Sequence, residues 1–330
     1  MKARTAAHSP CTQRGLTLVE LLVSVAISLL IFAGLSGVVR MTLASNAAQE
    51  QRLDVLRQAQ FAMDRMARAV ANTRVLLLPL ADNPATNWPE HIREETVPAS
   101  PPVGASTLAT AVLAVTLPAY SDLDFDGFPD ADNDRDGRID EDLGADRDND
   151  LAGGIYQIDD DGDGWVDESG LFYYDDDEQN VIDEDRLDGI DNDGDGSIDE
   201  DPPADANGDG CPGRCVVDDD GDGSIDEGGS ANDDEDGATD EDWYDPVVFY
   251  LSGGTLRERT PVPWDETAAG GITGRDFLTS DIATGVTRLR FERVLPTGGG
   301  APLVDITLEL RSADGQSISL NRRVRVGGAL

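Results

Sequence analysis

The chain has 330 residues, 66 of them acidic and 25 basic, for a formal charge of -41. An acidic excess of this size repels a phosphate backbone, which argues against nucleic acid as a partner and favours cations. The excess is local: residues 122–242 hold 48 acids and 5 bases, whereas the rest of the chain holds 18 and 20 and is close to neutral.

The chain opens with a basic leader carrying Lys2, Arg4 and Arg14. Gly15 follows, and then an apolar run from Leu16 to Val39 in which Glu20 is the only charge. The run is long enough for a helix to cross about 30 Å of hydrocarbon. A secretory signal places its cleavage site after the apolar core; here the glycine precedes the core, so the run stays in the mature chain. The leader cations hold that end in the cytoplasm and send the bulk of the chain to the outer side. A carboxylate in lipid costs about 2.5 kcal/mol or more and is usually kept for a partner, which singles out Glu20. Gly15, Leu16, Glu20 and the apolar length together resemble the amino terminus of type IV prepilins. The resemblance implies cleavage between Gly15 and Leu16 by a prepilin peptidase and methylation of the new amino terminus. It also implies that Glu20 pairs with the methylated terminus of a neighbouring subunit during assembly.

Beyond the anchor, Leu53, Leu56, Met63, Met66, Ala67 and Val70 recur at three- and four-residue steps among polar residues, which predicts an amphipathic helix to about Arg74. Pro79, Pro84 and Pro89 mark a loop. Ala111–Leu117 and Val247–Leu251 read as strands on either side of the acidic segment. Val304, Ile306, Leu308 and Leu310 alternate with polar residues as a one-sided strand. Ile318, Leu320, Val324 and Val326 give another, and Leu289 with Phe291 a third. The expected fold is α+β, a long helix packed on an antiparallel β-sheet head. The domain plan is a leader (1–15), a membrane and assembly helix (16–74), a first head part (75–120), an acidic insertion (121–242) and a second head part (243–330).

Within the insertion, D-x-D-x-D-G-x-x-D recurs, a spacing that wraps a loop around a hard cation with oxygens from positions 1, 3, 5 and 9 and a carbonyl at 7. Five copies are complete: Asp122, Asp124, Asp126 and Asp130; Asp132, Asp134, Asp136 and Asp140; Asp159, Asp161, Asp163 and Asp167; Asp191, Asp193, Asp195 and Asp199; Asp218, Asp220, Asp222 and Asp226. Two are variants, Asp175, Asp177 and Asp183, and Asn232, Asp234, Asp236 and Asp240. Asp205, Asn207 and Asp209 begin a copy without the ninth-position acid, and Asp146, Asp148 and Asp150 are a weaker remnant; neither is counted as a site. A disordered acidic insert is the plainer alternative, but random acidic sequence would not keep glycine at the sixth place and an aliphatic residue at the eighth. The copies lack the glutamate at position 12 and the room for flanking helices that EF-hands need. The recurrent Ile-Asp-Glu and Val-Asp-Glu tails instead resemble thrombospondin type 3 calcium repeats. That resemblance implies several calcium ions serving as the core of a segment poor in apolar residues. Magnesium, with its compact octahedral demand, fits less well.

Cys211 and Cys215, in C-P-G-R-C, are read as a local disulfide; zinc would want further Cys or His nearby, and His91 is the mature chain's only histidine. There is no nucleophile motif and no phosphate-cradling loop, so an enzyme is not expected. The order of pieces, with V-V-F-Y-L-S-G-G-T-L-R-E-R and V-T-R-L-R-F-E-R-V after the insertion, resembles PilW-type minor pilins, with the J-type minor pseudopilin of type II secretion a near relative. The resemblance implies an inner-membrane precursor with a periplasmic head, later carried to the pilus at or near its tip. Its implied partners are other minor pilins, the major pilin, the inner-membrane assembly platform and a tip adhesin. Pilus or secretion pseudopilus stays open, as does whether the insertion braces its neighbours or acts as an adhesin toward an outside surface.

Overall fold

Thr17 and Glu20 have the spacing of a capping box, in which the first residue caps the helix and the acid three places on reaches back to it. In the computed structural model the helix α1, Leu18–Asn72, begins directly after Thr17. The structure describes residues 17–81, 91–96, 111–135, 137–140, 143–160, 242–262, 277–296, 299–312 and 315–328, with short stretches and single positions between 161 and 241. It divides into two compact units, Met1–Leu53 and Asp54–Leu330.

In the first unit α1 is apolar on all sides up to Val39 apart from Glu20, and Leu30 and Phe32 are among many exposed large side chains. Its length and composition suffice to cross a membrane. In the second unit the same helix becomes one-sided. Ala59, Ala62, Met63, Met66, Ala67 and Val70 recur at helical spacing and are buried, while polar residues occupy the other face. The helix ends at Asn72, two residues before the expected Arg74, which is within ordinary boundary scatter. The Thr73 hydroxyl then ties the chain to the head by donating to the Thr116 carbonyl at 2.9 Å.

Among the described residues nine strands follow: β1 Leu76–Leu78, β2 Ile92–Thr96, β3 Val112–Thr116, β4 Pro246–Ser252, β5 Thr255–Pro261, β6 Phe277–Thr284, β7 Val286–Val294, β8 Leu303–Arg311 and β9 Ser317–Arg325. They form two antiparallel sheets, β1-β3-β4-β5-β6 and β2-β7-β8-β9, where the periodicity had suggested one. In β8 the alternation is realised directly: Val304, Ile306, Leu308 and Leu310 are sealed and the residues between them are not. Both sheets contribute to one core with α1, in which Phe249, Phe291 and Leu308 are fully buried. Each such side chain stabilises the fold by about 1.5–3 kcal/mol.

β3 is buried on both faces. Leu113 and Val115 point into the α1 core, whereas Val112 and Ala114 join Leu78, Val248 and Tyr250 in a second cluster covered by Ile155 and Ile158. Those two isoleucines come from the acidic insertion, which therefore roofs the outer face of the five-stranded sheet. The insertion leaves and re-enters between adjacent strands, since Thr116 pairs with Pro246 in register.

Candidate functional site

Glu20 is engaged locally. Its Oε2 accepts from the Thr17 backbone N–H and from the Thr17 hydroxyl, both at 2.9 Å, while the Glu20 N–H donates to that hydroxyl at 3.3 Å. The reciprocal bonds satisfy helix-start donors that would otherwise lack partners in lipid. Both Thr17 contacts fall on Oε2, so Oε1 lies outside the box. Gly15 and Leu16, the expected cleavage pair, lie outside the described residues.

The acidic segment is held to the head by backbone carbonyls of the insertion facing head arginines. Buried Arg93 of β2 donates to the carbonyls of Asp159 and Asp160, the latter at 2.8 Å. Arg259 of β5 donates to the Tyr156 carbonyl at 2.7 Å and lies over the Phe277 ring. At the first loops, the Asp242 carboxylate accepts from the N–H groups of Asn133 at 3.0 Å and Asp140 at 2.6 Å. Asn133 also donates to the Trp243 carbonyl at 3.0 Å. A disulfide links Cys211 and Cys215.

The loops share a backbone signature. The fourth residues Phe125 and Arg135 are left-handed (φ 63° and 69°), as are the sixth-position Gly127 and Gly137 (φ 95° and 101°). Glycine takes that second geometry at little steric cost. The ninth residues Asp140, Asp167, Asp199 and Asp226 are also left-handed, which aspartate tolerates. Asp167 and Asp226 accept equivalent bonds, each at 2.7 Å, from Gln157 and Val216 ten residues upstream.

Among the described residues, carboxylate oxygens converge to within 4.8 Å of one another in two groups. One is Asp122, Asp124 and Asp126, from the first complete copy. The other is Asp146, Asp148 and Asp150, the remnant that its sequence had left uncounted. Asp130 stands beside the first group, accepting from the Leu123 N–H at 2.5 Å. Burial and the neighbouring carboxylates push its carboxyl up to about 6. Asp132, Asp159, Asp175 and Asn232 are buried, Asp134 and Asp199 partly exposed. Asp140, pushed up to about 7 by burial and Asp242, pairs with Arg74 at 3.6 Å. Asp136, Asp161, Asp163, Asp177, Asp183, Asp191, Asp193, Asp195, Asp218, Asp220, Asp222, Asp234, Asp236 and Asp240 lie outside the described residues.

Both groups suit a hard cation by the chemistry of their donors, which are all oxygen. In each, one oxygen is sealed from solvent with no hydrogen-bond donor among the described residues: Oδ1 of Asp122 and Oδ2 of Asp148. Leaving a buried carboxylate oxygen unmatched is costly, and a cation would relieve that cost.

Residues 11–36 match the prokaryotic N-terminal methylation motif. The amino terminus is thus a type IV pilin-type prepilin signal followed by a membrane-capable apolar helix. The motif implies processing by a prepilin peptidase and partners in a pilus or pseudopilus, and it belongs to structural subunits rather than catalysts. No curated protein and no solved structure matches the chain.

Proposed function

We propose that this protein is a minor type IV pilin of the PilW kind, which helps prime or cap pilus assembly and carries an insertion stabilised by calcium. The observation that carries the reading is the prepilin motif over residues 11–36, continuous with the helix that enters the head core at Ala59. A subunit built in this way is anchored as a precursor and then drawn into a filament by the same helix. Glu20 would serve twice, capping its own helix through Oε2 and meeting a neighbour's amino terminus through its charge. The calcium assignment is supported by the loop spacing, by the shared left-handed positions and by the sealed oxygens of Asp122 and Asp148.

The test is the quantity of surface pili in cells deleted for this gene and complemented with variants. Deletion is expected to collapse the pilus count. Glu20→Gln keeps the capping geometry and loses the charge, and both it and Glu20→Ala are expected to be processed normally yet to fail in incorporation. Full incorporation of Glu20→Gln would reduce Glu20 to a helix cap, and unchanged pili in the deletion strain would move the reading to a secretion pseudopilin.

A further inference from the structure

The remnant loop that begins at Asp146 repeats the geometry of the complete copies, although its sequence lacks two of their defining residues. Asn149 and Leu151, its fourth and sixth positions, are left-handed (φ 52° and 61°), like Phe125 and Gly127 in the first copy. The Ala152 N–H donates to Oδ1 of Asp150 at 2.7 Å, as the Phe128 N–H donates to Oδ1 of Asp126 at 2.9 Å. Asp146 accepts from the N–H groups of Asp150 and Leu151 at 3.1 and 3.0 Å, so both flanking carboxylates are aimed by the backbone.

The ninth position is Gly154, which offers no carboxylate. A Cβ there would overlap the Asp160 carboxylate, so Asp160 fills the space beside the place where the loop lacks its own acid. The Ile155 N–H holds Oδ2 of Asp160 at 2.6 Å. The ninth-position group of such loops often reaches its ion through water, which suits an acid set slightly back from the other three. Asp148, at 7 % exposure, supplies an oxygen with no donor among the described residues. Asp148, Asp160 and Gly154 line a cavity of about 250 Å³, which gives an ion an entry path and room for water ligands.

We propose that Asp146, Asp148 and Asp150, completed by Asp160 across Gly154, form a cation site of calcium type that fastens the insertion onto the outer face of the sheet. Its position gives it that role: the residues between Asp150 and Asp160 include Ile155 and Ile158, which cover Val112 and Val248. The site differs from the complete copies in drawing its last acid from the second position of the next loop. It rests on the calcium reading only for the identity of the ion.

The experiment counts calcium bound to the full chain in detergent, stripped of metal and titrated with Ca²⁺, for the parent, Asp148→Asn and Asp124→Asn, with unfolding midpoints measured in parallel. Asp148→Asn is expected to lose one tightly held ion that Asp124→Asn retains. In chelator its midpoint is expected to match or exceed the parent's, because one buried carboxylate has been removed from a repelling set. Its midpoint should then rise less when calcium is added. An unchanged ion count in Asp148→Asn would overturn this site while leaving the repeat reading standing, as would a variant that fails to fold in chelator. Loss of an ion from Asp148→Asn but from no variant of the complete copies would do the reverse. A parent that takes up no calcium would overturn both.

Discussion

On the α1 side of the β3–β4 pair, Phe249 and Leu251 of β4 share a core with Met66 of α1, all sealed and all apolar. On the opposite side it meets Ile155 and Ile158, carried by a segment that buries Asp150, Asp159 and Asp160. The first layer needs nothing from outside, because removing apolar surface from water is favourable by itself. The second layer sets a few apolar contacts against several buried carboxylates, and like charges at that depth favour the folded state only when matched. Two coverings of one sheet thus answer to different variables, the first to packing and the second to cations and pH.

The largest effect expected from that contrast comes with calcium removal. Amide exchange in chelator should rise across residues 122–160 while β7, β8 and β9 stay protected, and uniform protection or uniform loss would break the comparison. Next comes Leu308→Ala, which should cost about 2–5 kcal/mol. That cost should be the same with and without calcium when read from denaturant midpoints. A smaller effect concerns pH. Asp140 and Asp150, each pushed up to about 7 mainly by burial, bind protons in the folded chain at pH values where an unfolded aspartate, near about 3.9, has already released them. Without metal, stability should therefore fall as pH rises from about 4 through about 7 and level off above that. Unfolding midpoints in metal-free buffer should drop by several degrees between about pH 5 and pH 8, and a flat or rising profile would contradict the assignment. The smallest effect is on the outer face of the second sheet, where Arg288 meets Glu94 at 2.8 Å with both partly exposed. Glu94→Gln should change stability by less than about 1 kcal/mol, and should do so only at low salt.

The legibility of the fold follows the same contrast. β8 could be read from its sequence because Val304 to Leu310 alternate without interruption. β5 could not, because the inward place after Leu256 is taken by Glu258, buried against Arg65 of α1 at 2.5 Å, so a charge sits where the pattern wants an apolar residue. β2 fails for a similar reason, since its buried residue is Arg93, whose guanidinium is spent on carbonyls of the insertion. β6 is largely exposed, and β1 spans only three residues. Gly253-Gly254 between Ser252 and Thr255 was a hairpin signal lying in plain view, and Thr17-x-x-Glu20 was a capping box. The convergence of Asp122, Asp124 and Asp126 was legible from the spacing of the first complete loop. The convergence of Asp146, Asp148 and Asp150 was not, because Leu151 and Gly154 stand where the pattern wants a glycine and an acid.

The pairing of Thr116 with Pro246 also bears on the order in which the sheet is made. About 130 residues separate these adjacent rungs. Closing a flexible loop of that length rather than one of about ten residues costs about 2 kcal/mol more, by the logarithmic growth of closure entropy. A condensed insertion shortens the excursion and removes part of that cost before the rungs meet. The hairpin β4–β5, joined by two residues, carries no such cost, whereas the pairing of β3 with β4 would be eased by collapse of the acidic segment. The kinetics of completing the five-stranded sheet would then track the supply of counter-ions where the chain emerges.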